Sequence, residues 1–271
     1  MSKTKYRLIA ADMDGTLLND ESVLTDRVKS AIVKSVDAGV IFVTATGRPM
    51  MASESVNALF DRDMPFIIFN GVAAVMGKSY KTLFFSSLDP KYAVRIYQTG
   101  LERDALVIMW TIENNKEKLW VSRDCKESQK YRSISGSQFD IMEDPVKCAG
   151  SGIAKMMWID EADKIKIYRD EMGEAFKGEV NCYASRPIFL EFVGVQSSKG
   201  AALQKIGEIY GVGKNEMIAI GDSDNDISML EYAGLGAAMA NASDEVKAVC
   251  GYIAPTNNED GVAKVIEKFI F

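Results

Sequence analysis

The sequence predicts an α/β fold, a doubly wound Rossmann-like parallel sheet with an α+β module inserted into it. Three features carry that reading. Short apolar runs alternate with helix-period segments through the first part of the chain and again through the last third. The runs are apolar at every position instead of every second one, which suits parallel strands covered on both faces. Between about residues 84 and 190 strand-like runs follow one another more closely, as in a separate α+β layer.

In order, Tyr6 to Ala11 reads as a strand, Thr25 to Ala38 as a helix closed by Gly39, Val40 to Thr44 as a strand, Pro49 to Phe60 as a helix and Pro65 to Phe69 as a strand. The inserted stretch offers helices at Pro90 to Leu101 and Glu161 to Phe176. Its strands are Leu106 to Ile112, Leu119 to Val121, Ile153 to Ile159, Asn181 to Ala184 and Ile188 to Phe192. The core pattern resumes with a helix from Ser198 to Tyr210, a strand Met217 to Ile220, a helix after Asp226, a strand Gly236 to Met239 and helices from Ser243 and Glu259. The expected division is a core of residues 1–83 and 191–271 around an inserted domain of residues 84–190.

The 271 residues, 47% hydrophobic and 26% charged, fit an ordinary globular chain. A net charge of −6 without any basic run argues against a nucleic-acid partner. There is no histidine. That excludes Ser-His and Cys-His hydrolysis, phosphohistidine transfer and His-ligated zinc, and leaves carboxylates, lysine, hydroxyls or a metal to do the chemistry. Cys125, Cys148, Cys182 and Cys250 lack C-x-x-C spacing and read as reduced thiols. No apolar stretch approaches the roughly 18 residues needed to span a bilayer. The basic start, Lys3, Lys5 and Arg7, leads into an apolar run cut short by Asp12 and Asp14, so a signal peptide is not expected and the expected location is the cytoplasm. The sequon Asn241-Ala242-Ser243 reads as chance.

The first strand runs into Asp12-Met13-Asp14-Gly15-Thr16. Residues two apart on a strand share a face, so both carboxylates can converge at its C-terminal edge, where open α/β sheets place their ligands. Adjacent anions repel, and a divalent cation is the simplest compensation; an Asx-type turn is the alternative. Gly15 permits an abrupt turn. A second acidic cluster, Gly221-Asp222-Ser223-Asp224-Asn225-Asp226, follows another strand. It fails as a calcium loop, because Ile227 stands where a glycine is needed and Ala233 where a glutamate is. Asp226 can cap the following helix or support a metal, and Asp224 reads as a solvated charge. Mg²⁺ suits such a site, since it takes one or two carboxylates, several waters and a substrate phosphate.

Thr44-Ala45-Thr46-Gly47-Arg48 brings hydroxyls, backbone N–H groups and a guanidinium to the start of a helix expected at Pro49, a ready anion site. Lys199 falls in the first turn of the Ser198 helix, where the dipole disfavours a cation, so either an anion accompanies it or it is a solvated surface charge. Gly211-Val212-Gly213 lacks the third glycine of a dinucleotide fingerprint.

DMDGTLL at 12–18, TATGR at 44–48, SSKGAAL at 197–203 and GDSDNDISML at 221–230 resemble, in order, the four motifs of the haloacid dehalogenase superfamily of phosphatases. The segment Ala238 to Gly261 looks like the tail of its Cof-type branch, type IIB, whose α/β cap lies between the second and third motifs. The resemblance implies Asp12 as the nucleophile that forms an aspartyl phosphate and Asp14 as the acid and base, its backbone carbonyl also reaching the metal. It implies Asp12 and Asp222 on Mg²⁺ with Asp226 ordering a metal-bound water. Thr46 and Lys199 would hold phosphoryl oxygens, assisted by Gly47, Arg48 and Asn225; Thr44 is the rival for the hydroxyl role.

The function this implies is Mg²⁺-dependent hydrolysis of small phosphorylated metabolites, sugar phosphates first, by a monomer or weak homodimer. A phosphomutase and a non-catalytic phosphoacceptor switch are the alternatives. Acid–base capacity at Asp14 and an insertion large enough to cover a substrate favour the phosphatase. In the insertion, Met109, Trp110, Met156, Met157 and Trp158 read as core, and Arg103, Tyr183 and Arg186 are polar candidates for substrate contact.

Overall fold

The computed structural model describes residues 5–150 and 152–271; Lys3 of the basic start lies outside the described residues. The chain divides into two compact units, one of residues 1–48, 53–84 and 198–271 and one of residues 49–52 and 85–197. Among the described residues no helix is long and apolar enough to cross a membrane.

The first unit opens with β1 (Leu8–Asp12), α1 (Asp26–Asp37), β2 (Ile41–Ala45), α2 (Glu54–Asn57), β3 (Pro65–Ile68), β4 (Ala73–Met76) and β5 (Thr82–Phe85). After the second unit, whose elements are α3 (Pro90–Glu102), β6 (Leu106–Glu113), β7 (Lys116–Val121), α4 (Lys126–Ser135), β8 (Phe139–Ile141), α5 (Pro145–Cys148), β9 (Ile153–Ile159), α6 (Ala162–Ala175), β10 (Val180–Arg186) and β11 (Phe189–Gly194), it resumes. It closes with α7 (Lys199–Tyr210), β12 (Met217–Gly221), α8 (Ile227–Tyr232), β13 (Leu235–Met239), α9 (Asp244–Ala248), β14 (Tyr252–Ala254) and α10 (Gly261–Phe269).

Its eight-stranded sheet has the order β14-β13-β12-β1-β2-β3-β4-β5. Pairing is parallel from β14 through β3, and β4 returns antiparallel on β3. The expected doubly wound sheet is present, with an antiparallel turn-back that the expected elements lack. Short apolar runs such as Ala73–Met76 have no period that separates strand from loop. Alternation along the central strands sorts side chains to two cores. Ile9, Ala11, Phe42, Ile218 and Ile220 pack against α1 and α10, while Leu8, Ala10, Val43, Met217 and Ala219 pack against α7 and α8.

Thr25 Oγ1 caps α1 by accepting from the Val28 N–H at 3.3 Å, and Ser198 Oγ caps α7 by accepting from Ala201 N–H at 3.1 Å. One expected helix fails. Pro49 to Phe60 forms a 3₁₀ turn over Met51–Ser53 and then the single turn α2, where Asn57 turns its amide to the Gly77 carbonyl at 2.9 Å. A helix dipole is therefore lost from the reading of the Thr44–Arg48 loop, and only backbone amides and side chains remain there.

The second unit is a six-stranded sheet of order β10-β11-β9-β6-β7-β8. One face packs Val107, Met109, Met156, Trp158, Leu190 and Phe192 against α3 and α6. The other carries a buried ion pair, Lys155 Nζ to Glu191 Oε2 at 2.9 Å, with Ser185 Oγ donating to Glu191 Oε1 at 2.7 Å. Trp110 Nε1 donates to Tyr131 Oη of α4. Glu117 on β7 accepts from the amides of Met50 at 2.6 Å and Met51 at 3.0 Å; burial pushes its carboxyl up to about 6 in spite of those donors.

The return to the first unit comes at Ser198, not at residue 191. Phe189–Gly194 is one continuous strand paired to both β10 and β9, so its second half stays with the second unit. α4 was invisible in the sequence because it buries only Ser128, Tyr131 and Ser135 and so has no apolar stripe.

Candidate active site

Asp12 is the last residue of β1 and, two positions after Ala10, faces the α7 side of the sheet. Lys199, the first residue of α7, is wholly buried. Its ammonium donates to Asp12 Oδ1 and to Asp226 Oδ1, the latter at 2.6 Å. The surface-charge alternative for this lysine is thereby removed: its anionic partners are two carboxylates. Burial works against the charged ammonium, but the attraction of Asp12 and Asp226 outweighs it and raises the lysine pKa. For Asp12, burial dominates; although Lys199 pulls the other way, the carboxyl lies well above its ordinary range, and Asp226 and Asp222 push it further.

Asp226 does not cap α8 with its side chain. Its Oδ2 accepts from the backbone N–H groups of Asp222 and Ser223, both at 3.0 Å, so the carboxylate folds back into the loop and meets Lys199. Asp222 accepts from Thr16 Oγ1 at 2.6 Å and from Ser223 Oγ at 3.0 Å, and burial raises its pKa. Asp224 is exposed.

Carboxylate oxygens of Asp12, Asp222 and Asp226 lie within 4.8 Å of one another. One ammonium against three carboxylates leaves the cluster short of positive charge. The donors are all hard oxygens, a set that fits Mg²⁺ or another small divalent cation and not a soft metal.

Asp14 is outside this cluster. β1 ends at Asp12, so the period of two does not carry to residue 14; the chain turns through Gly15 at φ 78°, and Asp14 is exposed. Arg48 grips it in a fork, Nε to Oδ2 at 2.8 Å and Nη2 to Oδ1. The guanidinium expected to meet phosphate thus holds Asp14. A Cβ on Gly15 would sit 2.5 Å from Asp222 Oδ2, so the first and fourth motifs meet where no side chain fits.

Thr44 and Thr46 are both buried but differ in direction. Thr44 alternates with Val43 and Ala45 and shares the α1 face with Phe42, away from Asp12. Thr46 follows the end of β2, and its Oγ1 accepts from Arg48 N–H at 3.1 Å. Asn225 is exposed and donates to Asn70 Oδ1 at 2.9 Å.

Three contributors escaped the sequence reading. Thr16 holds Asp222; Asn70 holds Asn225; and Asn241 of the supposed sequon donates to the Gly15 carbonyl at 2.9 Å, bracing the turn after Asp14. Their short polar side chains carry no pattern that separates a brace from a loop. In the second unit, Arg103 pairs with Glu171 at 2.7 Å, Tyr183 donates to Glu191 at 3.3 Å and Arg186 lies over the Phe189 ring at 5.7 Å. Met109, Trp110, Met156, Met157 and Trp158 are core.

Residues 9–266 match the haloacid dehalogenase-like hydrolase family. The chain belongs to that family. Among its relatives is the 5-amino-6-(5-phospho-D-ribitylamino)uracil phosphatase YwtE of Bacillus subtilis, 31% identical over 97% of this chain and 98% of that one. Another is YcsE, named for the same phosphatase activity in the same organism, 33% identical over 97% and 96% of the two chains. A haloacid dehalogenase-like hydrolase from Bacteroides thetaiotaomicron superposes with a TM-score of 0.86 at 27% identity, over 98% of this chain and all of that one. TM0651 of Thermotoga maritima gives 0.85 at 28%, over 97% of each. This haloacid dehalogenase-like hydrolase is a phosphatase, a phosphoric monoester hydrolase.

Proposed function

We propose that this phosphatase hydrolyses small phosphate monoesters carried on sugars or sugar alcohols, with Mg²⁺, through phosphorylation of Asp12. The observation that carries the reading is the contact of buried Lys199 with Asp12, one carboxylate of a three-carboxylate cluster, within a family of hydrolases. The relatives named for a phosphoribitylamino substrate support the leaving group, because a ribityl phosphate and a sugar phosphate share a phosphate ester on a polyhydroxy chain.

The Asp12 carboxylate attacks phosphorus in line with the ester oxygen, the P–O bond to the alcohol breaks, and Asp14 gives its proton to the departing oxygen. Asp14 then takes a proton from water as that oxygen attacks the phosphorus, releasing orthophosphate and restoring Asp12. Arg48 orients Asp14 by its two-point grip. Lys199, the Thr46 hydroxyl, the Gly47 amide and the Asn225 amide stabilise charge on the phosphoryl oxygens. Asp12 and Asp222 would hold Mg²⁺, backed by Asp226 and the Asp14 carbonyl, and the bound ion would supply positive charge to the transferring phosphoryl group. Four unbridged cysteines support a reducing, cytoplasmic setting.

The test is phosphate release across sugar phosphates, ribityl phosphates and nucleotides, with Mg²⁺ or with chelator, and acid-quench mass spectrometry for phosphorylated Asp12. Polyol phosphates should lead, chelator should stop turnover, and Asp12→Asn should abolish it. Turnover by that variant, or hydrolysis confined to nucleotides, would overturn the reading.

A further inference from the structure

The turn between β3 and β4 is the least relaxed backbone next to the site. Phe69, Asn70 and Gly71 have φ values of 51°, 56° and 96°, three left-handed residues in succession, the first of them aromatic. Such a conformation persists only where its surroundings impose it. Here they do. Asn70 N–H donates to the Thr46 carbonyl at 3.0 Å and Phe69 N–H to the Arg48 carbonyl at 3.2 Å, so the turn is laced to the second motif. On its other side a Cβ at Gly71 would lie 2.1 Å from the Ser198 carbonyl oxygen and 2.9 Å from Lys199 N, so the turn presses on the start of α7. The Asn70 amide lies against Gly47, whose hypothetical Cβ would be 2.8 Å from Asn70 Oδ1 and 3.1 Å from Nδ2. From the fourth motif, Asn225 Nδ2 donates to Asn70 Oδ1 at 2.9 Å.

We infer that Asn70 is a positioning residue for phosphoryl binding, acting through Asn225. The inference rests on the proposed role of Asn225 as a phosphate donor. An asparagine amide presents an acceptor at one end and two N–H donors at the other, and a phosphoryl oxygen can use only the donors. By accepting one N–H of Asn225, Asn70 Oδ1 fixes which end of that amide faces the bound phosphoryl group and leaves the second N–H for it. The strained turn sets Asn70 against Gly47, in reach of the loops that carry Thr46, Lys199 and Asn225.

A double-mutant cycle in the full-length enzyme tests this, with p-nitrophenyl phosphate and Mg²⁺. Asn70→Gly keeps the left-handed backbone and deletes only the amide; Asn225→Ala deletes the proposed phosphate donor. Each single variant should lower kcat/KM about tenfold, mainly through KM, as for one lost hydrogen bond to a charged group, and the double variant should be no worse than Asn225→Ala. Losses that multiply in the double variant, or an Asn70→Gly enzyme with parental KM, would overturn the inference. Melting temperatures of the four proteins guard against a folding defect, and should Asn70→Gly melt early, Asn70→Asp, which also tolerates the left-handed backbone and still accepts from Asn225, should keep KM closer to the parental value than Asn225→Ala does; a loss as large as that of Asn225→Ala would overturn the inference. The reading beneath it fails separately, if Asp12→Asn retains turnover.

Discussion

Lys199 donates to Asp12 from the first turn of α7, with no part of the lysine open to solvent. That position is costly for a cation on two counts, desolvation and the positive end of the helix dipole, and the carboxylates of Asp12 and Asp226 offset both. The same contact opposes the effect of burial on Asp12 without cancelling it, since the carboxyl still lies well above its ordinary range.

Replacing the ammonium therefore costs stability as well as activity. Lys199→Met should lose at least ~100-fold in kcat through the missing phosphoryl contact and about 3–5 kcal/mol of stability through the unpaired buried carboxylates. Urea denaturation of parent and variant in chelator checks the second figure; identical midpoints would mean the carboxylates do not need the lysine.

Cation binding should be visible without turnover. The cluster of Asp12, Asp222 and Asp226 is poised for a divalent ion, and Mg²⁺ at about 100 times its Kd should stabilise the fold by about 2.7 kcal/mol. Asp222→Asn should lose most of that gain while melting near the parent in chelator, because its neighbours are then less crowded by charge. Equal Mg²⁺ gains in both proteins would remove Asp222 from the ion's ligands.

Glu117 supplies a pH effect on stability. Its folded-state pKa is raised from 4.5 to about 6, so the folded chain holds the proton more tightly than the unfolded one. The contribution is therefore full below about pH 4.5 and is lost as pH rises through about 6. Relative to Glu117→Gln, the parent should lose up to about 2 kcal/mol between pH 4.5 and 7.5. A stability gap independent of pH would contradict the burial of this carboxylate.

Much of the site was legible because its residues must sit where strands end. Asp12, Thr46 and Asp222 each stand at or just past the C-terminal end of a strand that is apolar at nearly every position, and Lys199 stands out as a cation in a helix's first turn. What escaped were directions. Asp14 is expected beside Asp12 but leaves the strand and meets Arg48; Asp226, open between a helix cap and metal support, turns its carboxylate away from the helix start toward Lys199, beside Asp12 and Asp222. Thr44 and Thr46, two apart, were rivals until the end of β2 separated them.

The sequence by itself determined the layered α/β class, the hydrolase family and the absence of imidazole chemistry, since these follow from periodicity, motif order and composition. Only the tertiary structure decided which polar groups meet. Asn70 and Asn225 are separated by 155 positions and Lys199 and Asp12 by 187, and such pairings depend on strand register and helix docking, which no local pattern encodes. The apolar period says which face of an element is buried, whereas a hydrogen bond across the fold needs positions fixed to tenths of an ångström, and packing alone supplies those.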